Sequence, residues 1–517
     1  MHHLYPRRAR YVIGGALWLA ASGTASAQDA PATVTTQNAP LPIDALPAET
    51  KAVPSGTTPA SPYPSEAAGR GPKIGPLFYL IRHAEDWRFL ASPKAKRDRF
   101  SALKYIPLSE DGDTFLTLSG DQRSRFNFSS RPGLNDATDR HEFMLRTAVG
   151  ADLHIGPALR LYGQIQSAQI FGRNESPHIA IQQNDLIVQE LFAEVQVPVA
   201  DGKARIMLGR QEFFDGPRFI ISPRENPNIR VSMNGARVSM DWDRFRFTAV
   251  HFTPTEQGIG TFDDGTANGE RLTGINASAV VTDQPIGGLK STVFFDPFFF
   301  HFEGSARTLA RLSGSERRET YGARLWGHVG RVDFDWTGMK QDGRFGTRRV
   351  NAWAASSNQS IALSSGPRAA RIGFHADYAS GGGNYDTSGT VNSFNFLYNA
   401  TIMFSDDNYV GAINLMGIAP TASVQATKKL RLGAEAGFYW RPNERDAVYR
   451  GNSQPYVGTQ SVDGKQVATI YRGNAAWAID PHVTIVGQVN YVEAGHVLRS
   501  AGYRDNLFFS TIMNFKS

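Results

Sequence analysis

Apolar and polar positions alternate almost one by one between Phe115 and Phe128. Leu116, Leu118, Phe126 and Phe128 share one parity, and Thr117, Ser119, Asp121, Arg123, Arg125 and Asn127 share the other. Side chains of a strand point to opposite faces in turn, so this stretch reads as a strand with one oily and one charged face. Gly120, Gln122 and Ser124 interrupt the oily side without changing the period.

The same period returns down the chain. Phe143 to Ile155 sets Leu145, Val149, Leu153 and Ile155 against Arg146, Asp152 and His154. After the Gly156-Pro157 turn, Leu159, Leu161 and Ile165 oppose Arg160, Tyr162, Gln164 and Gln166. Glu190 and Glu194, then Arg246 and Thr248, then Arg324 and His328, occupy the polar parity of later segments. Leu430 to Trp440 carries Arg431, Glu435 and Tyr439 on one side and Leu432, Phe438 and Trp440 on the other. The chain finishes on an apolar face of Phe509, Thr511, Met513 and Phe515.

Repeated strands with lipid-compatible and water-compatible faces predict an all-β fold, a transmembrane antiparallel β-barrel of the outer-membrane porin type. About 400 residues in strands of roughly ten, with short turns on one side and longer loops on the other, give about 18 strands, 16 being the other even count of that size. A barrel of this size leaves an aqueous lumen. No apolar run approaches the roughly 18 residues of a spanning helix, and the mean hydropathy is below zero.

The N-terminus reads as an address. Arg7, Arg8 and Arg10 precede an apolar Tyr11 to Ala21, and Ala25-Ser26-Ala27 is a small-residue cleavage site. Residues 1–27 are therefore expected to be a signal peptide. Residues 28–78 are rich in Pro, Ala and Thr and read as a disordered periplasmic leader. The barrel unit then spans 79–517, with 79–112 a pre-barrel segment at its mouth or rim. Cysteine is absent, which removes disulfide frameworks and thiolate catalysis. Three units of the formal +6 charge belong to Arg7, Arg8 and Arg10, so the net charge says little about a polyanion; placement says more.

Placement points into the lumen. Arg123, Arg125, Arg146, Arg160, Arg246, Arg324 and Arg431 all fall on the inward parity. Guanidinium stays charged and its planar fork matches a carboxylate, so a row of them would concentrate anions and pass them along. The alternative is a set of cross-strand ladders with Asp121, Glu142, Asp152, Glu190 and Glu194 that only stiffen the wall. Arg210, Arg218, Arg224, Arg230 and Arg237 lie in the Gly/Pro-bearing stretch Leu208 to Val238, either an inward-folding constriction or an outer loop. Glu256 to Gly269, Tyr385 to Asp407 and Arg450 to Lys465 are further candidates for either role.

Catalytic chemistry finds no footing. The mature chain has no His-x-x-x-His pair, Gly209-Arg210-Gln211-Glu212 is not a nucleophile elbow, and Gly381-Gly382-Gly383 precedes no lysine-bearing helix. The expectation is a protein that is not an enzyme, with no catalytic residue, metal or cofactor.

Several blocks, in order, carry a family resemblance: Leu103-Lys104-Tyr105-Ile106-Pro107-Leu108, Gly120-Asp121-Gln122-Arg123, Gly209-Arg210-Gln211-Glu212 and Pro227-Asn228-Ile229-Arg230. Tyr321 to Gly327, Ala376 to Gly381, Tyr439-Trp440-Arg441 and Asp446 to Tyr449 follow. From about Glu85 to the C-terminus the chain resembles the alginate export porins. The resemblance implies an 18-stranded outer-membrane barrel passing a uronate polysaccharide through an arginine-lined constriction. Matched motif by motif, it implies pore roles for Arg123, Arg125, Arg210, Arg230 and Arg324, with Glu212 an acidic partner. The expected partners are a uronate polymer, outer-membrane lipid and periplasmic export proteins. No nucleic acid is expected, and the barrel is expected to be a monomer. A general or small organic-anion uptake porin is the alternative function, and a structural or adhesive surface barrel a second.

Overall fold

The computed structural model describes residues 63–74, 78–399 and 403–517. The expected signal peptide and residues 28–62 and 75–77 of the expected leader lie outside the described residues. Among the described residues, eighteen long strands pair antiparallel, each with its neighbour in sequence, and close into one barrel. In chain order they are β1 (Phe115–Ser129), β2 (Arg140–Ile155), β3 (Leu159–Arg173), β4 (Asn184–Val199), β5 (Gly202–Gln211) and β6 (Met233–Asp241). Next come β7 (Phe245–Glu256), β8 (Glu270–Thr282), β9 (Ser291–Leu309), β10 (Leu312–Val329), β11 (Val332–Phe345) and β12 (Arg348–Ala362). The last are β13 (Arg371–Ala379), β14 (Leu415–Gln425), β15 (Leu430–Trp440), β16 (Gln466–Ala478), β17 (Val483–Ala494) and β18 (Asn506–Lys516). Closure is made by β18 on β1, from Phe508 opposite Ser129 to Lys516 opposite Asp121.

The alternation seen in the sequence is the wall of this barrel. On β1, Thr117, Asp121, Arg123, Arg125 and Asn127 are buried toward the lumen, while the intervening residues face outward. The outer face carries exposed apolar side chains such as Leu161, Leu191, Phe299, Trp353 and Phe509, the surface a bilayer core would cover. With every strand paired on both sides, the barrel has no edge and its strand backbone needs no other partner.

The two ends differ. The links β2–β3, β4–β5 and β6–β7 take two or three residues, whereas 212–232, 380–414 and 441–465 are long and start from the opposite end. Short turns mark the periplasmic side of outer-membrane barrels. Both 212–232 and the described residues of the second connection, 380–399 and 403–414, fold inward. Ile221 bridges Tyr398, the Tyr398 amide donates to the Ile220 carbonyl at 2.9 Å, and Phe219 meets Phe394 edge-on. The inward face of β9 suits this packing: Phe298, Phe300 and Phe302 are buried against the folded-in segments. The lumen thus holds an apolar core at its long-loop end, which a strict polar-inside pattern does not anticipate.

Residues 78–107 pack against the barrel wall at the short-turn end. Buried Arg82 pairs with Glu85 at 2.7 Å and donates to the carbonyls of Gly120 and Ser517. Lys104, at the end of the short helix α1 (Ser101–Lys104), donates to the Leu118 and Ser517 carbonyls. Residues 63–74, expected within a disordered leader, are instead folded against the inner wall. Lys73–Ile74 pairs with Phe78–Tyr79, and polar contacts with lumen arginines supply what the apolar-poor sequence of the leader lacks.

Candidate functional site

The inward segment 212–232 brings one carboxylate to the middle of the basic wall. Glu225 Oε1 accepts from Arg146 NH2 at 2.5 Å and from Arg123 NH1 at 3.2 Å; Oε2 accepts from Arg146 NH1 at 3.3 Å and from Arg230 Nε. Arg123 and Arg146 stand directly opposite each other on β1 and β2, so strand register alone presents two guanidinium groups side by side. Two like charges at that spacing repel unless an anion lies between them. Burial works to raise the Glu225 carboxyl, but Arg146, Arg230 and Arg123 overcome it and hold it well below the usual carboxylate range.

The segment is threaded by further contacts. Arg123 also donates to the carbonyls of Glu225 and Pro227, and Arg125 holds the carbonyl and side chain of Asn226 at 2.8 and 2.7 Å. Fully buried Asn228 donates to the carbonyls of Leu145, Gln169 and Gln182. Arg230 reaches Glu212 at 3.1 Å, and Gln189 donates to the same carboxylate at 2.9 Å. Burial raises the Glu212 carboxyl, with Arg230 opposing and Glu190 adding to it.

Arg123, Arg125, Arg146, Arg230 and Glu212 are therefore one assembly. The other expected site residues are elsewhere. Arg160 is closed off in a ladder: it chelates Asp152 at 2.7 Å through two nitrogens and donates to the His83 carbonyl. Arg324 forks onto Asp335 at 2.8 and 2.6 Å and lies over the Trp326 ring. Arg246 pairs with Asp215 and donates to Thr248. Arg431 is half-buried on the inward parity of β15, beside the turn that precedes it. Arg210 departs from expectation. It continues the outward row of Ile206 and Leu208, sits opposite exposed Leu191, and donates to the Val188 carbonyl and Asn234 on the barrel wall. The lumen and outer parities alternate strictly along β5, so a residue two steps from Leu208 cannot line the pore.

The sequence reading missed Glu225, which lies in a stretch without periodicity. It also missed Arg472, which pairs with Asp406 at 2.8 Å and Glu435 at 3.2 Å and ties segment 380–414 to the wall. Arg318, fully buried, does the same by donating to the Ser393 carbonyl at 2.8 Å. Among the described residues no group of three or more His, Cys, Asp and Glu side chains is placed to hold a metal ion.

The chain is similar in fold to OccAB1 of Acinetobacter baumannii, with a TM-score of 0.53 and 10% identity, covering 80% of this chain and 98% of that one. For OccK8 (OprE) of Pseudomonas aeruginosa the TM-score is 0.51 at 9% identity, covering 80% and 99%. For the outer membrane protein OprD of the same organism it is 0.47 at 11% identity, covering 80% and 95%. At such identities the likeness to OccAB1 and OccK8 speaks to fold alone. No curated protein matches the chain. The family described as alginate export matches residues 115–508, from the first barrel strand into the last. With the closed 18-stranded barrel, this makes the protein an outer-membrane channel. The chain belongs to the alginate export family.

Proposed function

We propose that the protein exports an anionic polysaccharide, a uronate polymer such as alginate, by electrostatic guidance through the basic lumen. The observation that carries this reading is the hold of Arg123, Arg146 and Arg230 on the Glu225 carboxylate. A group that receives one carboxylate bidentately receives another of the same geometry, and each sugar of a polyuronate bears one. The segment carrying Glu225 and Arg230 is a connection and not a wall strand, so it can yield its place to a polymer while Arg123 and Arg146 remain fixed on β1 and β2. Several weak stations move a polyanion better than one tight site, which would trap it. The driving force would come from polymer synthesis, with periplasmic partners delivering the chain.

A second reading, uptake of small organic anions, uses the same guanidinium groups one carboxylate at a time. Single-channel current in planar bilayers separates the two. Export predicts an anion-selective conductance blocked by dilute polyuronate and unaffected by a neutral glucan. Conductance indifferent to the polymer would defeat it in favour of the small-anion porin.

A further inference from the structure

A second set of lumen arginines, near the short-turn end, is turned toward the N-terminal segment. Arg218 contacts Oε1 of Glu66, and Arg324 NH2 lies 3.5 Å from Oε2. Arg246 Nε donates to the Ala67 carbonyl at 2.7 Å, and Arg237 NH2 reaches the Gly69 carbonyl at 3.5 Å. Four guanidinium groups from β6, β7, β10 and segment 212–232 thus address one carboxylate and two neutral oxygens spread over four residues. A uronate chain presents the same array, a carboxylate followed by ring and hydroxyl oxygens.

The tip that offers these oxygens is a compact knot. Ala67, Gly69 and Arg70 amides bond back to Pro64, Glu66 and Ser65, and Gly69 and Gly71 take the left-handed φ of +64° and +69° that glycine tolerates. Its attachment is mainly polar, through these arginines and a 3.0 Å bond from Tyr63 to Asp283. By contrast, residues 78–107 are anchored by buried Arg82 and Lys104. Beside the tip lies a cavity of about 870 Å³, whose lining includes Gly69, Arg88, Arg160, Arg205, Arg237 and Arg246. That volume is in the range of small-molecule sites.

We propose that Arg218, Arg237, Arg246 and Arg324 form an entry site for uronate carboxylates at the periplasmic end of the lumen, and that Glu66 to Gly69 occupy it as an internal mimic until polymer displaces them. The proposal rests on the export reading and adds to it a resting plug in the lumen near its short-turn end. Competition sets its size. A ligand meeting a site open only part of the time binds more weakly by that fraction, so freeing the site tightens binding correspondingly.

The test compares the full chain with Glu66→Gln and with a deletion of residues 63–71, each first checked for heat-modifiable migration of a folded barrel. Chloride conductance and block by a uronate hexamer added at the short-turn side are recorded. The deletion should raise conductance severalfold and tighten block about tenfold, and Glu66→Gln, which keeps the fold's contacts, should shift both in the same sense. Arg218→Gln placed in the deletion should undo the gain in block. Folded variants with unchanged conductance and unchanged block overturn the entry site and plug while leaving export standing. Hexamer without effect on any of the proteins, the full chain included, removes the export reading and the entry site with it.

Discussion

Glu225 and Arg146 meet as a fork inside the barrel, two oxygens on two nitrogens at 2.5 and 3.3 Å, although they are 79 positions apart in the chain. The pair joins a connection to a wall strand, so it is an interaction that can be exchanged. Removing its acid leaves three buried guanidinium groups without their shared anion. Glu225→Gln should therefore raise anion selectivity and tighten polyuronate block. Charge-assisted hydrogen bonds are worth roughly 1.5–3 kcal/mol, which sets the change in block at about ten- to a hundredfold. The freed segment should also become more accessible to protease between 212 and 232. Unchanged reversal potential and block in a folded variant would mean that the cluster does not face the conducting path.

Arg160 makes the opposite case. Its guanidinium is consumed by Asp152, Glu194 at 3.9 Å and the His83 carbonyl. Arg160→Met should leave ion selectivity as it was and lower the temperature at which the barrel opens in gel electrophoresis. Breaking one partner out of a buried pair costs about 3–5 kcal/mol. A selectivity change as large as that of Arg146→Gln would place Arg160 in the conducting track after all.

The contrast shows what alternation can and cannot report. Leu116, Leu118, Phe126 and Phe128 against Arg123 and Arg125 were legible because lipid and lumen impose opposite chemistry on neighbouring residues. The same rule, carried two residues past Leu208, puts Arg210 outside; reading the stretch as an irregular connection hid this. Which inward arginines cluster was not legible, because that depends on register between strands and on what folds between them. Arg123 and Arg160 look alike in sequence. One meets Glu225 and the other Asp152, and only the three-dimensional path of segment 212–232 separates them. Phe298, Phe300 and Phe302 broke the polar-inside rule for the same reason: they face protein, not water.

The inward segment 380–414 should respond to pH. Asp406 is fully enclosed, 2.8 Å from Arg472, with Glu435 and Arg125 also acting on it. Burial pushes its carboxyl up to about 6, with Arg472 opposing and Glu435 reinforcing the rise. Asp407, beside Arg140 and Tyr409, is raised as well, again chiefly by burial. A folded value above the unfolded one means that the folded state prefers the protonated acid. Docking of the segment is thus favoured below the unfolded value of 3.8 and loses that contribution as pH rises through about 6. At about 1.4 kcal/mol per unit of pKa, the effect reaches about 3 kcal/mol. Hydrogen exchange of residues 403–414, corrected for intrinsic rates, should be slower at pH 4 than at pH 7.5, and Asp406→Asn should flatten much of the difference. Equal protection at both pH values would show that Arg472 fully compensates the buried charge.

Salt provides the last discrimination, because guidance by fixed charge and fit by shape respond to it differently. The Debye length falls from about 10 Å at 0.1 M to about 3 Å at 1 M ionic strength. Attraction of a polymer to arginines spaced along the lumen acts over distances of that order, so block of the channel by polyuronate should weaken steeply across this range. Arg123→Gln with Arg125→Gln removes two of those charges from β1, together with their bonds to Pro227 and Asn226, while keeping polar side chains on the lumen face. The double variant should start with weaker block at low salt and show a shallower slope, and it should still migrate as a folded barrel. A slope identical to the parent's would mean that the polymer never feels these two residues, and that the selective charge lies in another part of the lumen.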